Sequence, residues 1–303
     1  MRIKDIPSLA QLAVLIEASA PKPGNVTPAR GFEDTSYVHF LASASGMWSS
    51  ALAAARRGWR AGRGRAEMRA LELGRLILQG VRDVQRLHRG GNTVLGELML
   101  LLPLCAAAGY AAAKGRVEAG TLRRSAALVV SSTTPEDAVH LYRAIRLASP
   151  RLGKAERLDV FSRESERELM ERGLTLAEVM RLSPHDTVAR ELVQGYPVTF
   201  ELALPMLLRA YSRSGDILRA VVECYLHVLA EHPDSLIMRK AGRRAAEEVS
   251  NMARRVLESG MREEELERFD AYLRSRGNLL NPGTTADITG ACVFAALLTG
   301  VRV

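Results

Sequence analysis

Apolar residues recur at three- and four-residue intervals along almost the whole chain, and that period commits the backbone to helices. Leu9, Leu12, Ala13, Leu15 and Ile16 share one face of a first helix, with Ser8 as its cap and Pro21 and Pro23 as its stop. The same period spans residues 37–56, 66–88 and 94–113. Thr134 offers an N-cap followed by Pro135 and two acidic first-turn residues, and Thr175 with Glu178 forms a capping box. Further helices are expected over residues 186–194, 198–211, 217–230, 235–257 and 263–274. A last one, over 285–298, is apolar on most faces and so central. Leu128-Val129-Val130 is the best strand candidate, and it serves equally well as a helix end. The expected fold is all-α: one large, bundle-like, multi-helix domain over residues 1–303 with functional loops at helix ends. Residues 148–164 mix proline, glycine and charge, which predicts a long loop between two helical halves.

Composition removes several function classes. At 303 residues, 47% hydrophobic and 25% charged, the chain has the make-up of a globular protein. Its most apolar stretch, residues 95–113, carries Glu97 and Pro103 and reads as a buried helix rather than a membrane span. No signal-peptide pattern opens the chain, so the cytoplasm is the expected location. Cys105, Cys224 and Cys292 lie far apart in apolar surroundings, and the six histidines have no ligand spacing, so no zinc site is expected. Neither GxxxxGK[ST] nor GxGxxG is present. The abundance of apolar helix surface admits a homodimer.

The net charge of +8 is carried by arginine: five lysines stand against thirty-seven arginines, and asparagine also occurs only five times. Such a bias fits a GC-rich genome and a hot habitat, where thermolabile asparagine is avoided. The survivors are therefore informative. Three of the five asparagines fall in Pro-Lys-Pro-Gly-Asn (21–25), Gly-Gly-Asn-Thr (90–93) and Asn-Pro-Gly-Thr-Thr-Ala-Asp (281–287). Two of the five lysines fall in the first of these and in Arg239-Lys240-Ala241-Gly242.

Each segment joins permissive backbone to polar groups at a helix end. In the first, Gly24 allows close approach to a ligand and Lys22 supplies a point charge suited to phosphate. In the second, glycines precede a helix N-terminus, an anion site in the making, although Asn92 or Thr93 as an ordinary cap accounts for the spacing too. In the third, Asp234 caps a helix that carries Arg239 and Lys240 on its next turns. In the fourth, Asp287 sits in the first turn of the most apolar helix, placed to complement the helix dipole, hold Mg²⁺ or act as a base. Together the loops predict a phosphate-rich ligand. Residues 56–65, rich in arginine and glycine around Trp59, suggest instead a solvated loop, with nucleic-acid binding as an alternative that leaves the four loops unexplained.

The run from Glu17 to Val26 resembles the N-terminal signature of the triphosphoribosyl-dephospho-CoA synthase family. Phe40-Leu41-Ala42-Ser43-Ala44, Gly91-Asn92-Thr93 with Gly96, Asp234 to Gly242 and Asn281 to Asp287 continue the resemblance in order. The middle of the chain, through Glu136-Asp137-Ala138, Leu152-Gly153, Asp159-Val160 and His185 to Glu191, is similar to the family's archaeal branch. The resemblance implies an all-α enzyme, a pentosyltransferase. It joins the ribose C1 of ATP to the 2′-hydroxyl of dephospho-CoA and releases adenine, with Mg²⁺ as cofactor. It places Lys22, Asn25, Asn92, Thr93, Arg239, Lys240, Asn281, Thr284 and Thr285 around the nucleotide and its phosphates, with Gly24, Gly91 and Gly283 giving backbone approach. Asp34, Asp234 and Asp287 are its candidate catalytic carboxylates, and Asp287, Asp234 and Asp186 its candidate metal ligands. Where bacterial members carry a histidine just before the aspartate matched by Asp34, this chain has Phe32 and Glu33. A relative acting on another phosphorylated cofactor is the alternative acceptor reading.

Overall fold

The computed structural model describes residues 1–148, 160 and 162–303, and among these every regular element is a helix. In the N-terminal half these are α1 Asp5–Ser19, α2 Tyr37–Gly46, α3 Trp48–Gly62, α4 Leu73–Gln85, α5 Leu95–Lys114, α6 Ala119–Ser131 and α7 Pro135–Ala148. Then follow α8 Arg163–Glu171, α9 Leu176–Arg181, α10 Thr187–Gln194, α11 Leu204–Ser214 and α12 Ile217–Glu231. The chain closes with α13 Ser235–Ala241, α14 Arg243–Glu258, α15 Glu263–Arg274 and α16 Gly283–Leu298. The strand candidate Leu128–Val130 belongs to α6. Most of the long loop expected near 148–164 lies outside the described residues.

Two helices that are apolar on nearly every face form the centre. α5 buries fifteen of its residues and α16 fourteen, and the other helices wrap them in one contiguous core. By length and composition α5 could cross a membrane, but most of it is enclosed by its neighbours. α3 lies against it backbone to backbone. A methyl at Gly58 would stand 2.0 Å from the Ala106 carbonyl oxygen, and one at Gly109 would stand 2.0 Å from that of Ala55. This overturns the reading of residues 56–65 as a loop: α3 runs on to Gly62, and its glycines serve close packing. Arg57 turns back to Glu72 at 2.6 Å, while Arg63 and Arg65 stack over Trp59.

Other boundaries moved for local reasons. α1 begins at Asp5, whose carboxylate accepts from the Arg2 backbone N–H, so Ser8 lies inside the helix. The helix expected over 37–56 breaks at Met47, and the one expected over 235–257 breaks at Gly242, where φ is +88°. The Thr175–Glu178 capping box forms as expected. Asp137 accepts from Thr134 N at 3.0 Å and from Gly74 N at 2.8 Å, and so ties the starts of α7 and α4 together.

Candidate active site

The N-termini of α5 and α16 open on the same cleft, which α1, α13 and the loop after α1 complete. That loop is clamped from several sides. Gly24, at φ +71°, donates its N–H to Asp270 Oδ1 at 2.7 Å, and a Cβ there would lie 2.5 Å from Leu273. Arg274 donates to the Asn25 carbonyl at 2.5 Å and covers the Phe32 ring, while the Tyr225 hydroxyl donates to the Pro23 carbonyl at 2.8 Å. The clamp fixes Asn25, whose amide donates to Asn281 Oδ1 at 3.2 Å. Asn281 in turn donates to Asn278 Oδ1 at 3.0 Å, and Lys240 Nζ donates to the Asn278 carbonyl at 3.0 Å. Across the cleft, Asn92 Oδ1 accepts from Leu95 N at 3.0 Å and caps α5. Four of the chain's five asparagines thus line one cleft.

The floor is acidic. Glu17 of α1, Glu97 of α5 and Asp287 of α16 converge there, with one cation: Lys22 Nζ lies 3.0 Å from Glu17 Oε1, and both side chains are shut from solvent. Two glycines make room. A Cβ at Gly96 would stand 2.0 Å from Asp287 Oδ2, and one at Gly290 would stand 2.9 Å from Glu97 Oε1. Burial, then Glu17 and Asp287, push the Glu97 carboxyl well above the usual range, against the pull of Lys22. Asp287 is pushed well up by burial, then by Glu17, Asp234 and Asp186, with Arg239 opposing. The cleft therefore offers amide donors, an ammonium and two helix N-termini at its rim, and carboxyl groups of raised proton affinity at its floor. Such a site can bind phosphates, stabilise positive charge and exchange protons.

The pattern of the ATP:dephospho-CoA triphosphoribosyl transferase family matches residues 3–302. The chain belongs to that family. A crystal structure assigned as a triphosphoribosyl-dephospho-CoA synthase from Archaeoglobus fulgidus is similar to the chain, with 29% identity and a TM-score of 0.66. The match covers 88% of this chain and 100% of that one. Comparison with curated proteins gives no match. The protein is thus a pentosyltransferase that moves the triphosphoribosyl group of ATP to the 2′-hydroxyl of dephospho-CoA and releases adenine.

Within the transferase, Asn25, Asn92, Thr93, Lys240, Asn281, Gly283 and Asp287 come together on the cleft lining. Thr93 also bonds Ser43 at 2.7 Å, beside the stacked His39 and His88 rings. Others of the expected residues stand elsewhere. Lys22 lies beneath the lining as the counter-ion of Glu17. Asp234 Oδ1 accepts from Leu236 N and Ile237 N, and Oδ2 from Thr285 N and Oγ1, so it caps α13 and holds it to α16. Thr284 accepts from Ser235 at 3.1 Å. Asp186 caps α10 and pairs with Arg239 at 3.2 Å. Asp34 is exposed, with its carbonyl accepting from Gly91 N at 3.0 Å. Glu17, Glu97 and Asn278 line the cleft without having been singled out for a role, and Asp270 and Arg274 hold its wall.

The residues expected to ligate Mg²⁺ do not fit a cage. Asp234 has both oxygens taken by the protein and Asp186 is capped and ion-paired. Among the described residues no group of three or more His, Cys, Asp or Glu side chains is set to hold a metal.

Proposed function

We propose that this cleft carries the transfer, with the triphosphate at the rim and the ribose over the floor. The observation that carries the reading is the convergence of Glu17, Glu97 and Asp287 from three helices beneath the asparagine-lined rim. Breaking the glycosidic bond builds oxocarbenium-like charge on the ribose, and carboxylates beneath it lower that barrier. Asn25, Asn92, Asn281 and Lys240, with the first turns of α5 and α16, supply the donors that a triphosphate needs. The triphosphate survives the reaction, so these groups hold it in place. Magnesium fits this scheme as the counter-ion that arrives with the nucleotide.

Asp287 is the base in this reading. It is half-buried at the edge of the floor, so it reaches the cleft, and its raised affinity for a proton suits it to take one from the acceptor's 2′-hydroxyl. Asp234 is a positioning residue, fixing α13 and therefore Lys240 against α16. Asp287→Asn tests the assignment. With ATP and dephospho-CoA, adenine release is expected to fall by about 10²–10⁴-fold while ATP binding and melting temperature stay near wild type. Wild-type turnover in that variant would overturn it.

A further inference from the structure

Glu97 is 2% exposed, it lines the cleft, and neither of its carboxyl oxygens meets a hydrogen-bond donor of the protein among the described residues. The other buried carboxyl groups are provided for: Asp234 accepts four hydrogen bonds, Glu191 three, and Glu17 has Lys22. Burying a carboxylate without donors is costly, and two further carboxyls, Glu17 and Asp287, face Glu97 with only Lys22 to offset them. On its far side lies the bare backbone of Gly290. That setting favours the undissociated acid.

A carboxylic acid presents an O–H donor beside a carbonyl acceptor. The N6/N7 edge of adenine presents the complement, an amino donor beside a ring-nitrogen acceptor. We propose that Glu97 is the catalytic acid of the transferase, gripping the N6/N7 edge of ATP and protonating N7 as the glycosidic bond breaks. This rests on the cleft being the nucleotide site. In the step, the C1′–N9 bonding pair passes into the purine while the Glu97 proton goes to N7. The acceptor's 2′-oxygen forms the new bond to C1′ and gives its proton to Asp287. Adenine leaves as its neutral 7H tautomer with Glu97 ionised and Asp287 protonated, and transfer of that proton from Asp287 to Glu97 returns the floor to its starting state. The same geometry selects against guanine, whose edge presents two acceptors, O6 and N7.

The test uses the full-length protein with magnesium, ATP and dephospho-CoA, following ATP affinity by calorimetry and adenine by chromatography. Glu97→Gln keeps an N–H donor and a C=O acceptor in place but has no proton to give. It is expected to bind ATP within about 3-fold of wild type while kcat falls about 10²–10⁴-fold. The wild-type enzyme is expected to bind 7-deaza-ATP, which lacks N7, without cleaving it, an arm that needs no variant to fold. Glu97→Gln with kcat close to wild type, or 7-deaza-ATP cleaved as fast as ATP, would overturn the proposal and leave the cleft assignment standing. ATP binding by the Asn281→Ala and Lys240→Ala variants that matches wild type would remove the cleft assignment, and this proposal with it.

Discussion

Gly96 and Asp287 fit so closely that a methyl group on the glycine would stand 2.0 Å from the carboxylate oxygen. Gly96→Ala therefore separates function from stability. Alanine in the first turn of α5 improves helix propensity by about 1 kcal/mol, which offsets the strain of moving one side chain. Displacing Asp287 by an ångström is expected to lower kcat about 100-fold. Steady-state kinetics beside a thermal melt checks both halves. An active Gly96→Ala would mean that Asp287 needs no exact placement.

Lys22 is the only cation of the floor among the described residues, and Lys22→Met leaves Glu17 with an uncompensated charge in a closed site. Removing one partner of such a pair is expected to cost about 3–5 kcal/mol in urea unfolding. The double variant with Glu17→Gln should recover much of that loss. A phosphate contact by Lys22, as the sequence alone suggested, predicts instead a weaker ATP affinity with little change in stability.

Asp234 and Asp287 are both aspartates near helix starts, yet their variants should part company. Asp234→Ala abolishes four hydrogen bonds, two that cap α13 and two that tie its start to α16. A loss of about 3 kcal/mol or more is expected. Asp287→Ala, which loses no side-chain hydrogen bond among the described residues, should melt within a few degrees of wild type and lose turnover. Denaturation curves of the two proteins, run side by side, decide the matter.

Glu97 also leaves a signature in the pH dependence of stability. Its folded affinity for a proton is raised, so its contribution is fully present below about pH 4.3, where a free glutamate titrates, and is lost as pH rises through the folded value. Glu97→Gln cannot ionise and lacks this slope. The variant should gain on wild type as pH rises from 5 to 8, by denaturant midpoint. A variant that instead loses ground to wild type over that range would contradict the acid form of Glu97.

The helical class and most helices were legible because 3.6-residue periodicity reports burial directly. The scarcity of lysine and asparagine also singled out loops that the fold brings together, since Asn25, Asn92, Asn281 and Lys240 share one cleft. The acidic floor was not legible in this way. A single glutamate in an apolar helix, as Glu97 is in α5, leaves the pattern of a core helix intact, and only three-dimensional convergence with Glu17 and Asp287 gives it meaning. The Asp270–Gly24 contact spans 246 residues and has no local signal at all. Asp186 and Asp234 read as metal-ligand candidates because capping and metal binding draw on the same side chains; which one prevails depends on the neighbours they meet. The breaks at Met47 and Gly242 escaped notice because apolar periodicity continues across them.

The glycine seam between α3 and α5 has a bearing on how this enzyme fails. Gly58 meets α5 at Ala106, about two and a half turns from Glu97 along the same helix. Whatever loosens the seam lets α5 shift, and its first turn shifts with it. Damage far from the substrate would then register as catalytic misalignment well before the chain melts, so heat inactivation should run ahead of unfolding.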